Sequence, residues 1–190
     1  LNHVKIKRMK KIIIIIIIVA GTVLVYAMRG NSPTETTKAP TINDTRAFRP
    51  DPSNATFIFD NEMITLSAGK NEKSIVPGSV LVEETVLMDK FAYGDLNADG
   101  KEDTVLLLAR YGAGSGIFIY LAAFTSGPVA YKGSKVIFIG DRIAPQSLSI
   151  KGDAVTVEYL DRKPDEAFAA EPTVSASKQF IYKNGEFVEK

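Results

Sequence analysis

The chain contains no cysteine. Disulfides, thiolate metal ligands, cysteine nucleophiles and a lipid-modified cysteine are therefore all excluded. A chain without disulfides is compatible with any compartment, so this absence does not locate the protein. Histidine is nearly absent too: His3 is the only one, and it precedes the main part of the chain. Ser-His-Asp hydrolysis, His-ligated zinc and imidazole general bases are thereby removed from that part. An enzyme built from what remains would work with carboxylates, lysine, tyrosine or a bound metal. No catalytic residue is singled out.

Negative charge is missing from the beginning of the chain. Of the 23 Lys and Arg, six lie in residues 1–30, where there is no Asp or Glu. The other 17 face all 22 acids, so residues 31–190 carry a net charge of −5. The pI near 8.0 belongs to the leader, and it gives no support to nucleic-acid binding.

Residues 1–11 form a basic leader, and residues 12–28 (IIIIIIIVAGTVLVYAM) carry no charge. As a helix this run spans about 25 Å, near the lower limit for crossing a bilayer. No polar face interrupts it, so a buried core helix is a poor reading. Its length and Arg29 at the far end favour a single-pass membrane anchor. A cleaved signal peptide, with Val25-Tyr26-Ala27 as a weak cleavage site, is the alternative and gives a secreted protein. Five basic residues before the run place the N-terminus in the cytoplasm, so both readings put the C-terminal part outside.

Residues 29–54 are rich in Pro, Thr and Ser and lack an apolar period, which predicts a flexible tether. Residues 55–190 read as one exported all-β domain, with short apolar runs between turn signals. Phe57-Ile58-Phe59 and Met63-Ile64-Thr65-Leu66 flank an Asp60-Asn61 turn. Pro77-Gly78 precedes a strand from Val80 to Met88. Residues 104–110 are apolar on both faces, as a central strand is, and 117–124 are similar. With 136–139 these runs are expected to form the centre. Val155, Val157 and Tyr159 alternate with Thr156 and Glu158, a half-buried pattern. Asn184-Gly185 marks the last hairpin. About 8–10 strands are expected, in a single antiparallel sandwich or small barrel preceded by the transmembrane helix. No internal repeat supports a propeller.

The most specific motif is Gly94-Asp95-Leu96-Asn97-Ala98-Asp99-Gly100-Lys101-Glu102-Asp103. Oxygen-bearing side chains at alternate positions converge if the backbone curls, and Gly100 permits that curl. The loop resembles the calcium loops of dockerins, thrombospondin type 3 repeats and integrin-type propeller blades. The resemblance implies Ca²⁺ held by Asp95, Asn97, Asp99 and Asp103, with the Lys101 carbonyl adding an oxygen. The twelfth position is Leu106 where an EF-hand has a bidentate Glu, which points to a structural site of extracellular type. The plain alternative is an acidic turn with solvated carboxylates.

More broadly, GDLNADGKEDTVLLL, GAGSGIFIYLAAF, IGDRIAPQSLSI and VEYLDRKPDEAFAAEPTV in that order resemble a group of uncharacterised bacterial exported proteins over residues 56–190. That resemblance implies export and a single domain.

Other motifs carry less. Gly112-Ala113-Gly114-Ser115-Gly116 precedes Ile117-Phe118-Ile119-Tyr120, a strand where a dinucleotide loop needs a helix. Asp141-Arg142 and Asp161-Arg162 offer a fork for a carboxylate or sugar ligand. They equally read as structural pairs that tie loop backbones, which is the commoner use. Neighbours on a strand face opposite sides, so each Arg is expected to pair with something other than its own Asp. Glu83, Glu84, Asp141, Asp161 and Glu166 are candidates for two-carboxylate hydrolysis, with no pair preferred.

The expectation is therefore a membrane-tethered or secreted domain with one calcium loop. Its role would be non-catalytic, binding a cell-envelope polymer or a protein. A carboxylate- or metal-dependent envelope hydrolase is the alternative.

Overall fold

The computed structural model describes residues 48–190 except Asn61, Ser79, Ala113 and Phe168. The apolar run 12–28 and residues 29–47 lie outside the described residues. Within the described residues no helix is long and apolar enough to cross a membrane.

The described chain is all β. Strands β1 (Thr56–Phe59) and β2 (Glu62–Thr65) form a hairpin. A six-stranded antiparallel sheet holds β3 (Lys70–Ser74), β4 (Val82–Gly94), β5 (Asp103–Tyr111), β6 (Ile117–Thr125) and β7 (Lys132–Gly133) in that order, with β8 (Ile137–Asp141) also paired to β6. A four-stranded antiparallel sheet holds β9 (Ala144–Lys151), β10 (Ala154–Asp161), β11 (Val174–Lys183) and β12 (Glu186–Glu189).

Strand β5 explains why two cores exist. Its alternate side chains point to opposite faces of the sheet, and both sets are apolar. Val105, Leu107 and Ala109 join Ile119, Leu121 and Ala123 of β6, then Val155, Val157, Tyr159, Phe180, Tyr182 and Phe187 of the four-stranded sheet. Leu106 and Leu108 face the other way, onto Phe57, Phe59, Ile64 and Leu66. Each fully buried side chain of this size contributes about 1.5–3 kcal/mol. The central placement of 104–108 and 117–124 is as the sequence predicts, with β8 beside β6. Asn184 and Gly185 both take left-handed backbone conformations (φ 53° and 87°), as a tight hairpin turn between β11 and β12 requires.

Three features differ from expectation. The described residues hold twelve strands, not 8–10. β3 is entirely polar and β7 has only two residues, so neither shows an apolar alternation. β4 runs on to Gly94, past a register shift between Leu87 and Phe91 that accommodates Asp89 and Lys90. Part of the segment expected to be tether also packs against the strands. Pro50 and Pro52 are buried, the Arg49 guanidinium lies 4.6 Å from the Tyr93 ring centre, and Thr104 Oγ1 donates to Pro50 O at 2.7 Å. Pro50 and Pro52 are thus packed onto the domain, while Phe48, Arg49, Asp51 and Asn54 stay exposed.

The hairpin β1–β2 is stitched to the segment after β7: Ile58 N donates to Ser134 O at 3.2 Å and Val136 N to Ile58 O at 2.9 Å. Gly133 permits this approach, since a Cβ there would meet Thr56 O at 2.2 Å. Gly133→Ala is expected to force the backbones apart at a cost of about 1–3 kcal/mol. A urea midpoint unchanged from wild type would show that the contact gives way freely.

Candidate metal loop and the Asp-Arg cluster

The acidic loop is held at its neck by the last register pair of β4 and β5, Gly94 opposite Asp103. Between them the chain curls through left-handed conformations at Ala98 (φ 58°) and Gly100 (φ 81°). The curl turns backbone N–H groups inward, toward side-chain oxygens. Asp95 accepts from Asp99 N at 3.1 Å and from Gly100 N at 2.9 Å. Asn97 Oδ1 also accepts from Asp99 N, at 3.1 Å, and Asp99 Oδ1 accepts from Lys101 N at 2.9 Å. Asp95, Asn97 and Asp99 therefore gather around one short stretch of backbone, and all three are exposed. Lys101 contributes its N–H to Asp99.

Asp103 is used differently. It is completely buried, and its two oxygens accept from Leu96 N at 2.9 Å and Ser126 N at 2.8 Å. It fixes the loop to the sheet from below. Ser126 stands between the two levels: its N–H serves Asp103, its hydroxyl donates to Asp99 Oδ2, and its carbonyl accepts from Asn97 Nδ2 at 2.9 Å. Sequence reading missed Ser126. It lies 23 residues beyond Asp103 in a connection without any motif, and only the β5–β6 hairpin brings it back.

The Ser126 hydroxyl holds the Asp99 carboxyl below the ordinary carboxylate range, against the opposing effect of desolvation. Tyr131, whose hydroxyl donates to Glu102 O at 3.0 Å, shows the field from the other side. Its phenol is pushed up by desolvation and then by Asp103, Asp99 and Glu102. The loop's donors are all oxygen, which suits a hard cation such as Ca²⁺. Among the described residues no three His, Cys, Asp or Glu side chains form a metal-holding group; the third converging donor here is the Asn97 amide.

The structure brings Asp141, Arg142 and Arg162 together, on different terms from those expected. Arg142 pairs with its own neighbour, Nη1 to Asp141 Oδ2 at 2.6 Å. The alternation rule fails because Arg142 is not extended: its φ is +52°, where β8 ends. Its Nε and Nη2 donate to Ser115 O and Oγ at 2.7 and 2.9 Å. Asp141 Oδ1 accepts from Ile117 N at 2.9 Å, and Arg162 Nη2 reaches Asp141 O at 3.4 Å. Asp161 accepts from Arg162 N at 2.8 Å. These contacts tie the ends of β6, β8 and β10. Arg142 also borders an open depression of about 610 Å³ with Ile143, Glu171 and Pro172.

The carboxylates considered for hydrolysis are also engaged. Glu83 and Glu62 share Arg110 Nη2, at 2.5 and 3.0 Å. Glu62 also pairs with Lys73, the main cause of its lowered pKa. Glu84 pairs with Lys70 at 2.8 Å and Glu166 with Lys163 at 3.4 Å. Compared with protein families, curated proteins and solved structures, the chain matches none.

Proposed function

We propose that this protein is an exported, membrane-tethered β domain in which the loop Asp95–Asp103 holds one structural Ca²⁺, and that it serves as a non-catalytic module of the cell envelope. In this reading its architecture is a sandwich of the six- and four-stranded sheets, with the β1–β2 hairpin as a third layer. The observation that carries the calcium reading is the convergence of Asp95, Asn97 and Asp99 on one exposed curl of backbone. Bound Ca²⁺ would neutralise the loop's charge and brace the turn into β5. The Lys101 carbonyl would complete the set, and Asp103 would orient the loop from beneath. The charge-free run 12–28 supports the tether. The ion pairs of Glu62, Glu83, Glu84 and Asp141 support a role without acid-base chemistry.

The test is thermal melting of the full chain in mild detergent, with excess Ca²⁺ and with chelator. Binding to the native state alone adds about 2.7 kcal/mol at a hundredfold excess over Kd, a rise in Tm of several degrees for a domain of this size. The rise is expected to vanish in Asp99→Ala. Identical melting with millimolar Ca²⁺ and with chelator would reduce the loop to an acidic turn.

A further inference from the structure

We infer that the tip of the β3–β4 hairpin, through Ile75, Val76, Val80, Leu81 and Val82, rests on a lipid bilayer. β3 and β4 pair out to Ser74 opposite Val82. The connection is closed by Ile75 N donating to Leu81 O at 3.0 Å, and Gly78 turns the corner after Pro77 with φ +79°. The segment reads Ile-Val-Pro-Gly-Ser-Val-Leu-Val, without a charge. Five of its aliphatic side chains are exposed. Val80 is 95 % exposed, Val76 56 % and Leu81 53 %, and Ile75 and Val82 are exposed as well. None of the five belongs to either core. Single exposed aliphatics are ordinary, whereas several side by side mark a contact surface.

Three observations favour lipid over a protein partner. First, the tip projects. The last β4–β5 pair is Glu84 opposite Tyr111, while β3–β4 pairing continues to Val82, so the hairpin runs two residues past that pair before it turns. Second, its chemistry is purely aliphatic. Protein interfaces are gripped through Trp, Tyr and Arg, and 75–82 has none. The charges at its base are mutually satisfied: Lys70 with Glu72 and Glu84, Lys73 with Glu62, and Arg110 with Glu62 and Glu83.

Third, the chain outside the described domain reaches far enough. The domain is joined at Pro50, beside Thr104 near the start of β5, and the tip lies past its other end. The nine residues of β5 cover roughly 30 Å. Residues 29–47, fully extended, would reach about 65 Å, more than the length of β5. This last step rests on the tether reading above.

Because the chain has no cysteine, a single label reports the contact. Full-length Val80→Cys carrying an environment-sensitive fluorophore is reconstituted into phosphatidylcholine vesicles with and without doxyl-labelled lipid, beside Lys151→Cys at the β9–β10 turn. The Val80 label is expected to lose most of its emission to the quencher, and the Lys151 label to keep it. Adding Val76→Asp and Leu81→Asp is expected to abolish the quenching at position 80. No quenching at position 80, equal quenching at both, or cross-linking of position 80 to a second copy in its place overturns the inference. Flotation of the vesicles tests the tether separately. If the chain floats without quenching, the tether stands and the tip contact falls. If it does not float, the tether falls. Quenching by added vesicles then sustains the tip contact, and its absence ends it.

Discussion

Asp103→Ala is expected to destabilise the domain by about 3–5 kcal/mol, because two buried N–H groups lose their acceptor at about 1–3 kcal/mol each. Leu96 and Ser126, which own those groups, are themselves buried, so water does not readily replace the carboxylate. For a domain of this size each kcal/mol is worth about 2–4 °C in Tm, and the melting point should fall by roughly 6–20 °C. Asp103→Asn keeps one acceptor oxygen and aims an NH₂ at the other N–H, so it should recover only part of the loss. The loss should persist in chelator, since the role is hydrogen bonding within the fold. Asp99→Ala should instead be felt mainly as a lost response to Ca²⁺. Wild-type melting of Asp103→Ala in chelator would refute the assignment of Asp103 to the neck.

Phe57→Ala should act through a different layer. The Phe57 side chain is fully buried between the hairpin and β5, among Leu66, Leu106, Leu108 and Ala122. Truncating a buried Phe costs about 3–5 kcal/mol in transfer and cavity terms. The hairpin has four residues per strand, and a pair that short does not hold itself together in water. Its persistence therefore depends on docking, with the Arg110 guanidinium 5.2 Å from the Phe59 ring centre as a further contact. Amide exchange across the pair Phe57–Ile64 should accelerate well before exchange in β10. Equal acceleration in both would mean that the layer does not open by itself. Val129→Ala, at a nearly fully exposed position, is the matched control and should change little.

What was legible in the sequence was what repeats locally. The double-sided apolar run of β5 identified a central strand, and Val155, Val157 and Tyr159 identified the inner face of β10. Asn184-Gly185 marked a turn because few other residues accept two successive positive φ values. The acidic loop was legible because its curl needs only its own residues. What was hidden depends on distant chain. β3 is a strand because β4 offers it an edge, not because its Lys and Glu favour one. Pro50 and Pro52 look like linker until β5 and Tyr93 supply a surface for their segment. Ser126 joins the loop only through the β5–β6 hairpin. Arg142 turns back on Asp141 because of one left-handed residue at a strand end, which no pattern of residue types announces.

The strand order has a consequence for how the domain is made. Among the described strands, every sheet pairing joins neighbours along the chain except β6 with β8. A chain delivered N-terminus first can therefore complete most of its strand pairing close behind its point of emergence, without waiting for distant partners. The acidic loop closes in two stages, since Asp95, Asn97 and Asp99 can curl as soon as they appear, while Ser126 arrives only with the end of β6. Core formation lags further. Until β10 and β11 have followed, Val105, Leu107 and Leu121 face water on a sheet already paired, and the interval between those two events is when the nascent domain is most exposed to wrong contacts.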